Sequence, residues 1–174
     1  AWTHDLVERP HPTVVPEDTL IVEDTASGQI VSSTCLISQT WTYEGIAFKV
    51  GRPELVATDP EYRNRGLVRR QFDVLHEWCV ERGQFVQAIT GIPWYYRQFG
   101  YEMTVNLSGT RIGFGVHVPT LKEGEAEPFT LRLATAEDLD FIAEVDASGH
   151  RRDTLYCQRD SATWRYEFDG RLEA

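Results

Sequence analysis

A chain of 174 residues, 41% apolar and 25% charged, builds one domain with a sizeable core and is short for two complete ones. Its formal net charge of −10 argues against nucleic acid as a general partner, because phosphate backbones select positive surfaces, and is compatible with a cationic, amine-bearing ligand. No run approaches the roughly 20 apolar residues of a membrane span, no basic-then-apolar leader opens the chain, and Cys35, Cys79 and Cys157 show neither CxxC nor metal-ligand spacing, as expected of reduced thiols in a cytoplasmic protein.

The opening AWTHDLVERP lacks a methionine, so an excised or processed fragment is expected. DTLIVED (18–24) and QIVSSTCLIS (29–38) are β-branched runs separated by TASG, which predicts a hairpin turning at Gly28. Val31, Cys35 and Ile37 then share one face of the second strand. QTWTYEGIAFKVG (39–51) predicts a second hairpin around Gly45, leading into a strand at PELVAT (53–58). GLVRRQFDVLHEWCVERG (66–83) is the clearest helix. Leu67, Phe72, Val74, Leu75, Trp78 and Cys79 fall on one arc, with Arg69, Arg70, Asp73, His76 and Glu77 opposite. Arg69 and Asp73 are spaced as an i, i+4 pair, and Gly83 is placed to end the helix.

FVQAIT (85–90) predicts a short strand and PWYYRQFG (93–100) a short helix, with Pro93 near its start and Gly100 just past its end. YEMTVNLS and TRIGFGVHV suggest a closing hairpin across Gly109. PTLKEGEAEP (119–128) is polar and bracketed by prolines, as a linker is. Beyond it, FTLRLATAEDLDFIAEVDASG predicts a strand, an N-cap at Thr135 and a helix with Leu139, Ile142 and Ala143 inward. SATWRYEF (161–168) suggests one more helix.

The chemistry concentrates in DPEYRNRGLVRR (59–70), where Arg63, Arg65, Arg69 and Arg70 crowd around Gly66 between a strand and a helix. A helix start leaves backbone N–H groups unpaired and carries the positive end of the macrodipole. It is an anion site by construction. Gly66 removes the side chain that would hold a phosphate off the backbone, and arginine adds charge and forked donors. The pattern therefore reads as a pyrophosphate cradle, against the plainer alternative of a salt-bridged helix start. The P-loop pattern is absent, and GFGVHV (113–118) fails the dinucleotide pattern at its last glycine.

Arg63-Asn64-Arg65-Gly66-Leu67-Val68, preceded by DPEYR, resembles the acyl-CoA signature Arg/Gln-x-x-Gly-x-Gly/Ala of the GNAT superfamily of N-acyltransferases. Val68 departs from the usual small residue. Branched residues occur there in the branch related to enhanced intracellular survival proteins, whose tandem N-terminal unit this chain resembles. WYYRQFGY (94–101) is similar to the family's FYxxxGF element, in the right order and at the right distance. The resemblance covers about residues 18 to 116.

It implies an α/β fold, an α+β mixed sheet whose two central strands splay apart, and acetyl-CoA as acyl donor with no metal. The backbone of Leu55, Val56, Ala57 and Thr58 would hold the pantetheine arm, and the N–H groups of Asn64 to Arg69 the pyrophosphate. Tyr96 matches the family's general acid, which protonates the departing thiolate after a primary amine, small or lysine-like, attacks the thioester. Glu54 is the candidate base, with a solvated strand end as its plainer alternative. His76 reads as a solvated histidine and Tyr62 and Tyr95 as packing groups. Trp41, Tyr43 and Phe48 either line an acceptor pocket or serve a hairpin core or partner interface.

The family's opening strand and helices are not supplied by residues 1 to 17. Residues 1–116 then form the acyl-CoA unit, 117–128 the linker, and 129–174 either begin a second unit or complete the first, in cis or by exchange between chains in a homo-oligomer. A non-catalytic CoA-binding unit, or a structural one, stays open beside the enzyme.

Overall fold

A computed structural model describes residues 5–6, 8–92, 94–105 and 112–169. Strands β1 (Thr19–Asp24), β2 (Gln29–Tyr43) and β3 (Ile46–Thr58) form an antiparallel meander. β4 (Val86–Gln87) lies parallel to β3. β5 (Leu155–Cys157), which the sequence did not suggest, pairs antiparallel with β2 at Trp41 to Tyr43. Helix α1 (Leu67–Glu81) follows β3, while α2 (Leu139–His150) and α3 (Ser161–Asp169) flank β5 in the chain. The fold is thus mixed α/β, as expected.

The hairpin at Gly28 forms where predicted, with that glycine at φ 70°. The second hairpin also forms where expected, around Gly45, but its outgoing arm and the strand expected at 53–58 are one continuous strand, β3, paired with β2 from Ser32 to Tyr43. The turn is Glu44-Gly45, both in the left-handed region at φ 46° and 84°, the geometry of a tight hairpin that follows strand twist. Gly51 and Pro53, at the boundary between the two expected elements, lie inside β3.

Pro53 acts on the other edge. The last rung between β3 and β4 runs from the Ala88 N–H to the Gly51 carbonyl at 3.0 Å. The next would need the N–H of residue 53, and proline has none. Among the described residues no backbone group of β3 beyond Gly51 pairs with β4, so the two strands part there. Just past this point β3 bulges. Ser33 to Cys35 of β2 oppose Ala57 to Glu54 of β3, and Leu55 takes φ 54°.

The sheet buries both faces. Cys35 and Ile37 point to one, where Val14, Leu6 and Leu55 cover them; Val31, expected beside them, is buried at the bulge between β1 and β2. Leu36 packs with Leu75 and Cys79 of α1 on the other, joined by Leu20 and Trp78. Phe72, Leu75 and Cys79 are buried as the periodicity predicts, but Val74 is only half-buried and Gln71 takes a core position. Its Oε1 accepts from Ser32 Oγ at 2.8 Å and its Nε2 faces the Leu20 carbonyl, so the buried amide is satisfied. Arg69 pairs not with Asp73 but with Gln98. Gly83, at φ 65°, closes α1 with Gly83 N–H on Val80 O and Gln84 N–H on Cys79 O, a Schellman ending.

Gly51 sits where β3 meets α1. A Cβ there would lie 2.5 Å from Cys79 Sγ, 2.6 Å from Gln84 Oε1 and 3.2 Å from Leu36 Cδ1. Gly51→Ala is therefore expected to destabilise the fold by about 1–3 kcal/mol through overpacking. In a thermal melt this appears as a clear fall in midpoint, and an unchanged midpoint would show that the contact relaxes freely.

FVQAIT contributes only the two residues of β4. PWYYRQFG forms a 3-10 turn over Tyr95–Phe99, ended by Gly100 at φ 91°, and Pro93 lies outside the described residues. The expected closing hairpin is not seen in residues 101–105 and 112–118, which carry no strand, and its turn lies outside the described residues. No strand forms over 129–133 either. Phe129, Leu131 and Leu133 are exposed. Thr135 does cap the next turn, its N–H and Oγ1 both bonding Asp138 Oδ2. Leu139 is buried and Ile142 and Ala143 half-buried, so the inward arc of α2 is the one predicted.

Candidate active site

The loop between β3 and α1 is built from two left-handed residues, Asn64 at φ 61° and Gly66 at φ 75°. Asparagine and glycine are the residues that tolerate this conformation. Together they curve successive N–H groups into a concave nest. Gly66 is the N-cap of α1 and offers no side-chain cap, and the first helical bond runs from Arg70 N–H to Gly66 O at 3.1 Å. Among the described residues, the N–H groups of Asn64 to Arg69 have no protein acceptor.

The arginine side chains build the loop as well as charging it. Arg63 Nε approaches the Thr58 carbonyl at 3.4 Å. Arg65 Nη2 donates to Glu61 O at 3.1 Å, and its guanidinium lies over the Tyr62 ring. Tyr62 donates its hydroxyl to Asp24 Oδ2 at 2.6 Å, which anchors the loop to the end of β1. That hydrogen bond, above all, holds the Asp24 carboxyl below its ordinary range. Among the described residues none of Arg63, Arg65, Arg69 and Arg70 forms a salt bridge, so the salt-bridged helix start is not what the structure contains.

A cavity of about 700 Å³ opens on this nest. Val56, Ala57 and Thr58 form one wall, Arg63 to Arg69 the floor, and Ile92, Tyr95, Tyr96, Gln98 and Phe99 the facing wall. The nest, the unpaired edge of β3 and Tyr96 therefore meet in one space. Arg70, exposed on α1, does not line it, and neither do Trp41, Tyr43 and Phe48, which lie toward the far end of the β2–β3 hairpin.

Tyr96 is half-buried in an aromatic cluster, its ring 5.8 Å from Phe72 and 6.2 Å from Tyr101. A Cβ on Gly91 would lie 2.6 Å from its Cδ2 atom, so only glycine leaves room for the ring. Burial, then Tyr95, then the Glu54 charge push the Tyr96 phenol above its ordinary value. Tyr101 is raised too, mainly by burial, and donates to Gln87 Oε1. His76, expected in solvent, is half-buried against the rings of Phe72 and Tyr101.

Glu54 and Leu55 are not on the cavity wall. Leu55 packs on the Cys35 cluster, and Glu54 pairs with Cys35 on that same face of the sheet. Arg52 Nη2 lies 2.6 Å from Glu54 Oε1, and the carboxylate is largely buried. Burial raises the Glu54 carboxyl above its ordinary range, and Arg52 opposes that rise. The solvated strand end is thereby excluded. Glu54 lies close enough to Tyr96 for its charge to be felt, across the strand from the nest.

An anion nest on a helix start thus lies beside a parted pair of strands. A family model described as an acetyltransferase (GNAT) domain matches residues 3–104. The chain belongs to the GNAT acetyltransferase family. Solved structures similar to it include an acetyltransferase from Trypanosoma brucei, at 23% identity over 54% of this chain and 68% of that one, with a TM-score of 0.47. Another is a glucosamine-6-phosphate N-acetyltransferase from Arabidopsis thaliana, at 17% identity over 56% and 69%, TM-score 0.47. A GNAT family acetyltransferase from Brucella melitensis, in complex with acetyl-CoA, is 18% identical over 49% and 53%, TM-score 0.41. No curated protein matches the chain.

Proposed function

We propose that the protein is an acetyl-CoA-dependent N-acetyltransferase that acetylates a primary amine by direct attack. The observation that carries this reading is the row of unpaired amides from Asn64 to Arg69, opening on a wedge faced by Tyr96. The residues present fit the donor. The amides, with the helix dipole behind them, suit a diphosphate. The outer edge of β3 over Val56 to Thr58, the part that lines the cavity, offers backbone partners to an amide-bearing arm; Leu55, expected to share in it, faces away. Acetyl-CoA supplies the acyl group as a thioester.

Glu54, desolvated beside Arg52, is the candidate base for an ammonium acceptor, acting from across the strand, and the Tyr96 hydroxyl is the proton source for the departing sulfur. The acceptor is a small amine or a lysine-like group. The three free thiols suit a reducing, cytoplasmic compartment. Residues 1–116 form the acyl-CoA unit and 117–128 the linker. The pairing of β5 with β2 supports a role for 129–174 in completing the sheet, against their opening a second unit as in a tandem protein.

The first test is a thermal-shift titration with acetyl-CoA. Ligand at 100 times its dissociation constant adds about 2.7 kcal/mol, and no stabilisation at millimolar ligand would remove the proposal. Thiol release is then followed with glucosamine, butylamine and a lysine-containing peptide. Binding without turnover would leave a non-catalytic CoA-binding unit.

The pH profile tests the base. Glu54 works deprotonated, so turnover rises with pH through its raised pKa. Removing the Arg52 charge raises that pKa further. Arg52→Met is expected to move the acidic limb of kcat/KM to higher pH, and a limb that stays in place or moves down would take Glu54 out of the reaction.

A further inference from the structure

Arg69 lines the cavity, yet its two terminal nitrogens both engage one residue of the facing wall. Nη1 donates to the Gln98 carbonyl oxygen at 3.1 Å and Nη2 to Gln98 Oε1 at 3.2 Å. The guanidinium also lies over the Phe99 ring, 5.1 Å from its centre. Gln98 and Phe99 belong to the same 3-10 turn as Tyr96. Among the described residues, no other side-chain hydrogen bond joins α1 to that turn. What else holds it is aromatic contact, Phe72 lying 4.7 Å from Phe99 and 5.8 Å from Tyr96. Ring packing fixes distance better than rotation, whereas a planar fork on two oxygens fixes both.

We propose that Arg69 is a positioning residue that latches the Tyr95–Phe99 turn to the first turn of α1, so that the residue whose amide floors the nest also sets the place of the Tyr96 hydroxyl. The inference rests on the reading of Tyr96 as the acid. Diphosphate held at the nest would steady the Arg69 backbone, and the latch would pass that order to the opposite wall. Arginine is required for its shape. Lysine keeps the charge but has a single nitrogen, and cannot bridge a backbone and a side-chain oxygen while lying flat on a ring.

The full chain is tested as Arg69→Lys, Arg69→Met, Gln98→Ala and the double variant Arg69→Lys/Gln98→Ala. CoA affinity is measured by calorimetry, and kcat and KM by acetyl-CoA thiol release with the most active of the three amine probes. Amide hydrogen exchange is followed over residues 95–100. Both Arg69 variants are expected to lower kcat by about 10- to 100-fold, as misplaced catalytic groups do, with faster exchange at 95–100; CoA affinity stays close to wild type in Arg69→Lys, which keeps the charge, and weakens in Arg69→Met, which loses it. Gln98→Ala lowers kcat less, since its carbonyl remains, and its effect is smaller still on the Arg69→Lys background. The basic limb of the kcat profile moves to lower pH in Arg69→Lys, because a loosened phenol is better hydrated.

Wild-type kcat in Arg69→Lys would overturn the latch. So would variants that weaken CoA binding and keep kcat at saturation, which would make the Arg69 side chain a charge of the nest instead. If the wild-type chain neither binds CoA nor releases thiol, the function reading fails by itself. The latch is then read on the unliganded chain, where unchanged exchange at 95–100 in Arg69→Lys rejects it and faster exchange supports it.

Discussion

Replacing Tyr96 with phenylalanine is expected to lower kcat for acetyl-CoA turnover by about 100-fold or more, the loss of a positioned general acid, while CoA affinity stays at the wild-type level. The ring contacts with Phe72, Phe99 and Tyr101 survive the change. Among the described residues the hydroxyl has no protein hydrogen-bond partner, so its removal leaves no buried group orphaned. The fold should be unaffected. The phenol is pushed above its ordinary pKa chiefly by burial, which keeps it protonated across neutral pH, the form a proton donor needs. Turnover in the wild type therefore falls as pH rises through that elevated value. In Tyr96→Phe this basic limb should vanish together with the rate. Steady-state kinetics across pH decide it, and a variant with wild-type kcat, or with an unchanged basic limb, would remove Tyr96 from the chemistry.

Gly66→Asp is expected to weaken CoA binding by about 100-fold or more, because a like charge set against a diphosphate costs several kcal/mol. Aspartate tolerates the left-handed region better than most residues, and a Cβ at Gly66 meets nothing within 4 Å. The positive φ still strains any side chain, so the thermal midpoint should fall modestly, and by a similar amount in Gly66→Asn. Gly66→Asn is the control of equal shape, neutral and equally tolerant of positive φ. It should retain much more of the affinity. Calorimetry of CoA at low and moderate salt compares the pair. Equal affinities in the two variants would mean that the nest holds no phosphate.

The parts legible in the sequence are those in which cause and effect lie close together. The nest needs only a strand end, Gly66 and the helix that follows. The Schellman ending of α1 needs only Gly83, and the cap at Thr135 needs only Asp138 three residues on. What stayed hidden depends on partners far along the chain. Gln71 looks like a surface residue until Ser32 Oγ and the Leu20 carbonyl close on its amide. Arg69 looks like half of a helical pair with Asp73 until Gln98 arrives from another loop. β5 has three residues and a partner more than 100 positions away, too little for any local pattern. In the other direction, Phe129, Leu131 and Leu133 alternate as a strand should. Alternation prepares a strand without providing the neighbour that makes one. Glu54 and Leu55 enter the expected site through the family resemblance and their place before the loop, and the bulge at Leu55 is what neither can foresee.

Among the described residues, β3 beyond Pro53 pairs with no strand on its outer edge. An unzipped β-edge is adhesive and attracts other chains, so the feature proposed to admit a donor also exposes the protein to unwanted self-association. The backward kink at Leu55 blunts that line of loose carbonyls and amides. A guest lying along it would finish the job by occupying the hydrogen-bonding groups that a stray strand would otherwise seek. In this view the donor doubles as a stopper, and the filled protein is the better-behaved solute.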